Sequence, residues 1–451
     1  MEPQFIMDSN KMRIVYTILL FITQIAFGLS SAVYGPTLVD LSVIFSKNND
    51  NNSTNDDGLG PVSLFFTFFC GGCITGSFFT SLYKFEITRQ YLNRQFTFSI
   101  IMMLASIFHS FVPRMPNIAM FYLAAYGSGF GLGTFNAVCT SWLMEMWHGK
   151  RLSSVLQAGQ FMYGVGSIFS PIMVKPFIHG NKANSTNQTI FGPIERRDEL
   201  STPYFISGAL EFAIGASLFA LFFIYRYRKY DTPSDMANGG WGGSSQPEKL
   251  LDDPRHSCKR LSYHVLITTI FAAYNLTEIG FSSFQNAYYQ QRNVSVENAA
   301  NLGSIGSAAY TLGRLVNVVL TRFLSISLLL YGHLILAAFG FIGLYLIQDY
   351  LQMAMWALII DSVLIGYAQS AINPALFGFA ASFAKLDDRH NSIYYTALGL
   401  PMLFAPFIIG PNIEKMPSIV LHLALGPIIL TMVLFIIIRL IIGSARRSMY
   451  N

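Results

Sequence analysis

Residues Gly129 to Pro171 read GFGLGTFNAVCTSWLMEMWHGKRLSSVLQAGQFMYGVGSIFSP, and the reading of this stretch decides the fold. An apolar run rich in glycine carries Asn136 and Thr140 and ends at Trp147. A basic elbow follows at His148-Gly149-Lys150-Arg151. A second apolar run then carries Gln157, Gln160, Gly164, Gly166 and Pro171. Each run has the roughly 20 residues that a helix needs to cross a bilayer. Both hide amides and a hydroxyl where lipid would reject them, so each is expected to turn a polar stripe toward a solute path inside a bundle.

The same pattern extends in both directions. The chain has 451 residues, of which 52% are hydrophobic and 12% charged, about half the charge of a soluble domain. Long apolar runs recur about twelve times. In lipid the backbone must satisfy itself, and these runs are too long and too continuous for barrel strands. The expectation is an all-α polytopic membrane protein with about twelve transmembrane helices. Three of the four cysteines, Cys70, Cys73 and Cys139, fall in apolar runs and Cys258 in a basic loop, so no disulfide framework is implied. Cys70-Gly-Gly-Cys73 has redox spacing but sits among small residues and reads as helix packing. Apart from the short run Tyr225-Arg-Tyr-Arg-Lys-Tyr230, no block of lysines and arginines is interleaved with aromatics, which leaves nucleic-acid binding without support. The expected partners are the lipid bilayer and a small solute.

Charge sets the expected orientation. Placing the N-terminus in the cytoplasm puts about 20 Lys/Arg in inner segments and about 8 in outer ones, the bias of a positive-inside membrane protein with both termini cytoplasmic. Five sequons, at Asn51, Asn52, Asn184, Asn187 and Asn293, all fall on the outer side and are expected glycosylation positions. A further sequon at Asn275 lies within a span and reads as chance. The Asn- and Asp-rich segment 46–57 reads as a disordered outer loop. These features favour a multi-pass protein of the plasma membrane.

Residues 226–260, with Gly-Gly-Trp-Gly-Gly-Ser-Ser, read as a flexible cytoplasmic linker between an N-terminal half at 1–225 and a C-terminal half at 261–451. The halves echo each other. Gly129 precedes Asn136 by seven residues, as Gly366 precedes Asn373. Gly164 precedes Pro171 by seven, as Gly399 precedes Pro406. Gly76 and Gly313 share nearly the same offset. Two parallel six-helix halves with a site between them near the midplane are the plan of the major facilitator fold.

Within that plan, Leu143-Met-Glu-Met-Trp147-His-Gly149, then Gln157-Ala-Gly-Gln-Phe161, Gly164, Gly166 and Pro171, resemble the sodium-dependent glucose transporter family, also called major facilitator superfamily domain-containing protein 4. Gly35-Pro36-Thr37-Leu38-Val39-Asp40-Leu41, the run from Asn275 to Tyr289 with Glu278, and Gly313-Arg314 carry the resemblance through most of the chain. It implies a hexose transporter with sodium as a coupling ion. The chain departs from the family where an acidic residue is replaced by Asn136, an asparagine by Thr140 and a histidine by Gln160. An amide still bonds a hydroxyl but holds a cation less well, so sugar as substrate survives these changes better than sodium coupling. The loop at 83–95 keeps only the charges Lys84, Arg89 and Arg94 of the superfamily's usual basic pattern.

The candidate substrate residues are Asn136, Thr140, Gln157, Gln160, Gln369 and Asn373. Asn136 and Gln160 stand at similar depth on neighbouring spans, and paired amides offer the donors and acceptors that vicinal hydroxyls need. The competing reading is that the amides glue helices together. Candidate coupling or gating residues are the charges inside spans: Glu278, Arg314 and Asp361, with Glu211 a further intramembrane charge. Glu278 lies near the middle of span seven, with Tyr274 a turn before and Ser282 a turn after, and is the expected coupling carboxylate. Arg314, near the inner end of span eight, is expected to brace an inner gate against the loop of span nine. Gly129, Gly131 and Gly133 mimic a phosphate loop, but no strand precedes them and a packing groove is the better reading. His109, His333 and His422 are scattered singly, without metal-ligand spacing.

These readings lead to a secondary transporter moving a neutral hexose such as glucose by alternating access, with sodium or a proton as coupling ion, no cofactor and no catalysis. A carrier of another small metabolite, or a non-transporting membrane escort, are the alternatives.

Overall fold

A helix satisfies its backbone within itself, and the chain applies that solution throughout. The computed structural model describes residues 9–45, 59–81, 93–147, 150–180, 192–224, 257–321, 323–383 and 388–450. Among them there is helix and turn but no strand. The N-terminal half comprises α1 (Ser9–Phe45), α2 (Leu59–Ser63) running into α3 (Phe65–Ser81), α4 (Arg94–Phe111), α5 (Ile118–Met146), α6 (Lys150–Val174) and α7 (Pro193–Ile224). The C-terminal half comprises α8 (Ser257–Gln291), α9 (Val296–Leu320), α10 (Ile326–Tyr350), α11 (Met355–Gln369) followed by α12 (Ile372–Phe383), α13 (Asp388–Asn412) and α14 (Ile419–Tyr450). With α2–α3 and α11–α12 each forming one broken rod, the helices make twelve crossings in two sixes. Asn93, Asn117, Ser295 and Ser325 cap α4, α5, α9 and α10 by accepting bonds from first-turn amides, the usual remedy for orphaned N–H groups. The end of the expected linker is helical, since α8 begins at Ser257; the rest of it, and Asn51, Asn52, Asn184 and Asn187, lie outside the described residues.

The tenth crossing, α11 and α12, is a broken rod rather than one continuous helix. Pro374 has no N–H to give the Ser370 carbonyl, and its ring crowds that carbonyl. The chain turns at Ser370–Ala371, where Ser370 Oγ donates to the Tyr367 carbonyl at 2.7 Å.

Helix pairing explains the echo between the halves. In the first half α1 packs on α6, α3 on α5, α4 on α7 and α1 on α7. In the second, α8 packs on α13, α9 on α11, α10 on α14 and α8 on α14. The matched glycines sit at matched contacts. A Cβ on Gly129 would stand 1.9 Å from the Phe69 carbonyl oxygen of α3, and one on Gly366 2.3 Å from the Gly306 carbonyl oxygen of α9. Small residues let backbones approach this closely, which is how helices associate in lipid. Gly133 repeats the contact at Cys73, confirming a packing groove rather than a phosphate loop.

Three contacts chiefly join the halves. α6 crosses α9, α13 lies along α2 and α3, and α1 meets α8. Nine stretches of the described residues are long and apolar enough to cross a membrane, and α6, α9 and α13 are the rods outside that set. All three face protein across the halves' boundary, where polar and small residues are tolerated.

The apolar core places the cleft. Twelve crossings return the chain to its starting side, here the terminal side; the opposite face is the far side. One continuous buried cluster runs through the C-terminal half and into the far-side ends of α1, α2, α3, α5 and α7, joining Phe66 to Phe284. A second cluster, around Trp142, Leu143, Ile214 and Leu218, is confined to the terminal side of the N-terminal half. The halves therefore share a core on the far side and have separate cores on the terminal side.

Polar contacts seal the far side further. The Leu59 amide donates to Glu414 Oε1 at 2.8 Å, Ser63 Oγ to the Pro406 carbonyl at 3.1 Å and Thr67 Oγ1 to the Leu403 carbonyl at 3.1 Å. Lys175 pairs with Glu297 at 2.7 Å. Beside them the chain turns at Gly180, whose φ is +60°, a conformation that suits glycine. Asp40 accepts from the Gly180 amide at 3.1 Å and from Arg196 at 2.8 Å, while Arg196 also donates to the Gly180 carbonyl. This buried acid and base satisfy each other, so Asp40 holds a corner of the fold.

Candidate functional site

The boundary between the halves carries a chain of polar side chains that begins on α8. Glu278 is half-buried there. Its Oε1 accepts from Tyr310 Oη at 2.7 Å and its Oε2 from Asn373 Nδ2 at 3.0 Å. Tyr310 also accepts from Arg314 Nη2 at 2.6 Å, and the guanidinium lies 4.5 Å from the tyrosine ring centroid. Tyr310 and Arg314 are one turn apart on α9, so one helical face presents both. Arg314 Nη1 then crosses to the other half, donating to Gln160 Oε1 at 3.2 Å and to its carbonyl at 3.4 Å on α6. Asn275 Nδ2 donates to Asn373 Oδ1 at 3.2 Å, extending the chain along α8.

Local structure puts these groups in place. The break before Pro374 sets Asn373 at the start of α12 and frees it to reach α8. Four residues earlier, the buried Gln369 accepts at its carbonyl from Tyr274 Oη at 3.0 Å, and its Nε2 has no hydrogen-bond partner among the described residues. One turn from Gln160, Gly164 opposes Thr311, where a Cβ would stand 2.4 Å from Oγ1. That close crossing brings Arg314 within reach of Gln160. At about 1.5 Å per residue, Tyr310 stands about 21 Å from the Val296 end of α9 and about 15 Å from its Leu320 end, near the middle of a bilayer core.

The expected set divides. Gln160, Glu278, Arg314 and Asn373 belong to one connected cluster. Asn136 is exposed on α5, and the side chains of Thr140 and Gln157 lie outside the described residues. Asp361 lies elsewhere, buried on α11 within the C-terminal half, where a Cβ on Gly343 of α10 would stand 2.9 Å from its Oδ1. Arg314 is corrected in its partner: among the described residues it reaches Gln160 and Tyr310 rather than the loop before α10, because its long side chain carries the charge away from its backbone position. Tyr310 and Asn275 were missed. Asn275 is buried and bonded, which takes its sequon out of any loop, whereas Asn293 sits in the exposed far-side turn between α8 and α9.

The cluster combines one carboxylate, one guanidinium, amides and a phenol. Its formal charge is balanced, and its polar groups hydrogen-bond to one another. Such a surface can exchange its hydrogen bonds for those of a neutral solute rich in hydroxyls. Among the described residues no group of three or more His, Cys, Asp or Glu side chains is arranged to hold a metal ion.

Two repeated six-helix halves, sealed on one side and joined at mid-depth by a polar cluster, define a carrier architecture. The profile of the Major Facilitator Superfamily matches residues 20–406, and the chain belongs to that superfamily. It is 22% identical over 449 residues to major facilitator superfamily domain-containing protein 4B of Danio rerio, covering 87% of this chain and 80% of the relative. Among solved structures it is similar to the xylose transporter XylE of E. coli in a partially occluded inward-open conformation, with a TM-score of 0.67 at 10% identity over 93% of this chain and 96% of that one. A D-xylose–proton symporter superposes with a TM-score of 0.65 at 11% identity, covering 95% and 97%. Likeness at this identity speaks for the fold.

Proposed function

We propose that this protein is a secondary transporter of a neutral hexose such as glucose, working by alternating access. The observation that carries the reading is the charge-balanced chain Glu278–Tyr310–Arg314–Gln160 at the boundary of the halves. A charged solute would unbalance this half-buried pair of opposite charges; a polyol would not. Gln160, Asn373 and Glu278 are the proposed sugar contacts, with Asn136, Thr140, Gln157 and Gln369 as further candidates. Arg314 holds Tyr310 and Gln160 in register. Two fold neighbours are named for xylose, a neutral pentose sugar, which supports a neutral sugar as the substrate class.

The test is counterflow of a labelled sugar panel in vesicles containing the purified protein, with and without sodium and proton gradients. Saturable hexose exchange is expected. Exchange of an organic acid instead, or no exchange of any solute by folded protein, would favour the other metabolite or the escort reading.

The proposal includes an orientation: termini in the cytoplasm, far side outside, at the plasma membrane. Asn293 in its native turn is then expected to be glycosylated in a eukaryotic membrane, and a sequon inserted into 226–256 to remain bare. Modification of the inserted sequon would reverse the topology.

A further inference from the structure

We propose that the C-terminal half holds the headgroup of a phospholipid in a cavity on the far side, with the phosphate on Arg292. The site stands apart from the sugar cluster, and the binding does not depend on the transport reading.

The cavity lies between the turn that joins α8 to α9 and the turn that joins α10 to α11. Its volume is about 600 Å³, within the roughly 300–1,000 Å³ of small-ligand sites. Three stretches apolar enough to span a membrane, Arg260–Gln291, Ile326–Tyr350 and Met355–Ala380, end or begin at its rim. The cavity is therefore at the level of lipid headgroups. Tyr350 is 79% exposed and Trp356 63%, the aromatic belt of a membrane interface. Below them Leu346, Ile360 and Val363 are exposed on α10 and α11, a surface for acyl chains.

The lining is rich in amides and carries a single charge. Arg292 is its one charged residue, and Asn293, Asn298, Gln348 and Gln352 supply amides. Arg292 Nη2 donates to Ser418 Oγ at 2.7 Å. Ser418 Oγ donates in turn to Gln348 Oε1 at 3.4 Å, and Tyr288 Oη donates to the same oxygen at 3.0 Å. These neutral partners fix the guanidinium and leave its charge without a counter-ion. Lys175 and Arg196 on the same side, by contrast, pair with Glu297 and Asp40.

Backbone strain converges on the same place. Among the described residues Asn293, Gln352 and Met353 are the non-glycine positions of positive φ, at 62°, 45° and 59°, and all three line the cavity. Such conformations are costly and persist where the surrounding structure over-determines them, commonly at ligand sites.

An uncompensated guanidinium among amides takes an anion with several acceptor oxygens, and its planar fork matches phosphate. At headgroup depth that anion is the phosphate of a phospholipid. A free sugar would leave Arg292 without a counter-ion. Gln348 Nε2 donates to Asp349 Oδ1 at 2.9 Å, so an exposed carboxylate stands just outside the lining. It disfavours a second negative charge and favours a zwitterionic headgroup such as phosphocholine. The site also adjoins the far-side gate, because a Cβ on Gly180 of the other half would stand 2.1 Å from Val296 Cγ2 in the same turn. A headgroup that stiffens this turn favours the closed far side; that consequence, unlike the binding, rests on alternating access.

Native mass spectrometry of the delipidated full chain in detergent tests the site with three probes. These are dioleoylphosphatidylcholine, dioleoylglycerol (the chains without the headgroup) and glycerophosphocholine (the headgroup without the chains). Wild type is expected to bind one phosphatidylcholine saturably, at least about tenfold tighter than either fragment, and to unfold at a higher temperature with it. Arg292→Gln is expected to weaken this binding about tenfold or more, the loss of a bond to a charged group. Gln352→Ala, at the exposed rim, is expected to weaken it less and to leave the unfolding temperature of the lipid-free protein unchanged. Ser418→Ala removes the neutral partner of Arg292 but keeps its charge, and is expected to retain phosphatidylcholine binding. The proposal is overturned by absence of saturable binding in wild type, or by wild-type binding in Arg292→Gln. Equal binding of dioleoylglycerol would show a surface for chains alone, and equal binding of glycerophosphocholine a site for a soluble phosphate ester; either overturns the lipid assignment. Displacement of the lipid by glucose would make the cavity a sugar site and overturn it as well.

Discussion

Arg314→Met is expected to reduce hexose counterflow at least about tenfold and to lower the unfolding temperature. Glu278 and Arg314 are half-buried and linked through Tyr310 rather than paired directly, so the expected cost is that of hydrogen bonds to a charged group, about 1.5–3 kcal/mol. Three groups lose their partner together. Glu278 keeps Asn373 and Tyr310 but loses the positive charge behind the phenol; Tyr310 loses its donor at 2.6 Å; Gln160 loses its contact with the other half. Methionine keeps much of the apolar stem and so separates lost charge from lost packing. The double variant Glu278→Gln/Arg314→Met is expected to recover stability while transport stays low, since no charge is then stranded. Wild-type transport and stability in Arg314→Met would mean that the cluster is decoration on a site located elsewhere.

The sequence and the structure part company at identifiable places. Span number, the two sixes and the packing glycines were legible because each follows from a local rule: run length, repeat offset, and small residues where helices touch. Gly129 and Gly366, or Gly164 and Gly399, were found as an offset and turn out to be equivalent contacts, the second pair facing the opposite half. The site was legible only as separate residues. Glu278, Gln160 and Asn373 stood out because polar groups are costly in lipid, but nothing in the chain says that an arginine 154 residues from Gln160 donates to it. Tyr310 could not be told from the other tyrosines, 23 in all, since its role comes from lying one turn from Arg314 and opposite Glu278. Asn275 was set aside because its sequon drew attention from its amide. The break at Ser370 had a local signal in Asn373-Pro374. The small cavity lined by Ser30, Ser31, Tyr34, His109, Ser128 and Glu211 had none: these residues come from four helices, and His109 reads as a solitary histidine until Tyr34 of α1 and Ser207 of α7 bond its ring.

Joining the far-side gate covalently is expected to abolish net transport reversibly. Gly410 of α13 and Ser63 of α2 are the chosen positions. A Cβ built on Gly410 stands 2.8 Å from Ser63 Cβ and 1.9 Å from its Oγ. Disulfides need Cβ atoms about 3.5–4.5 Å apart, so the double variant Ser63→Cys/Gly410→Cys must open this contact by about 1 Å. That demand falls where the halves meet, and the halves can give, whereas the same crowding between α3 and α5 would disrupt one half's core. On oxidation the bond ties α2 to α13 beside the Leu59–Glu414 and Thr67–Leu403 contacts, holding the far side shut. The terminal side, where the cores are already separate, stays accessible. Oxidised protein should therefore bind hexose from the terminal side yet lose at least about nine-tenths of its counterflow, because alternating access requires both faces to open in turn. Reductant should restore counterflow, and each single variant should transport in oxidant. The native Cys70, Cys73 and Cys139 are free and, with Cys258, are replaced by serine so that the engineered pair alone can form. If the oxidised double variant transports as well as the reduced one, the far-side contact is not a gate, and alternating access by rocking of the two halves is wrong for this chain.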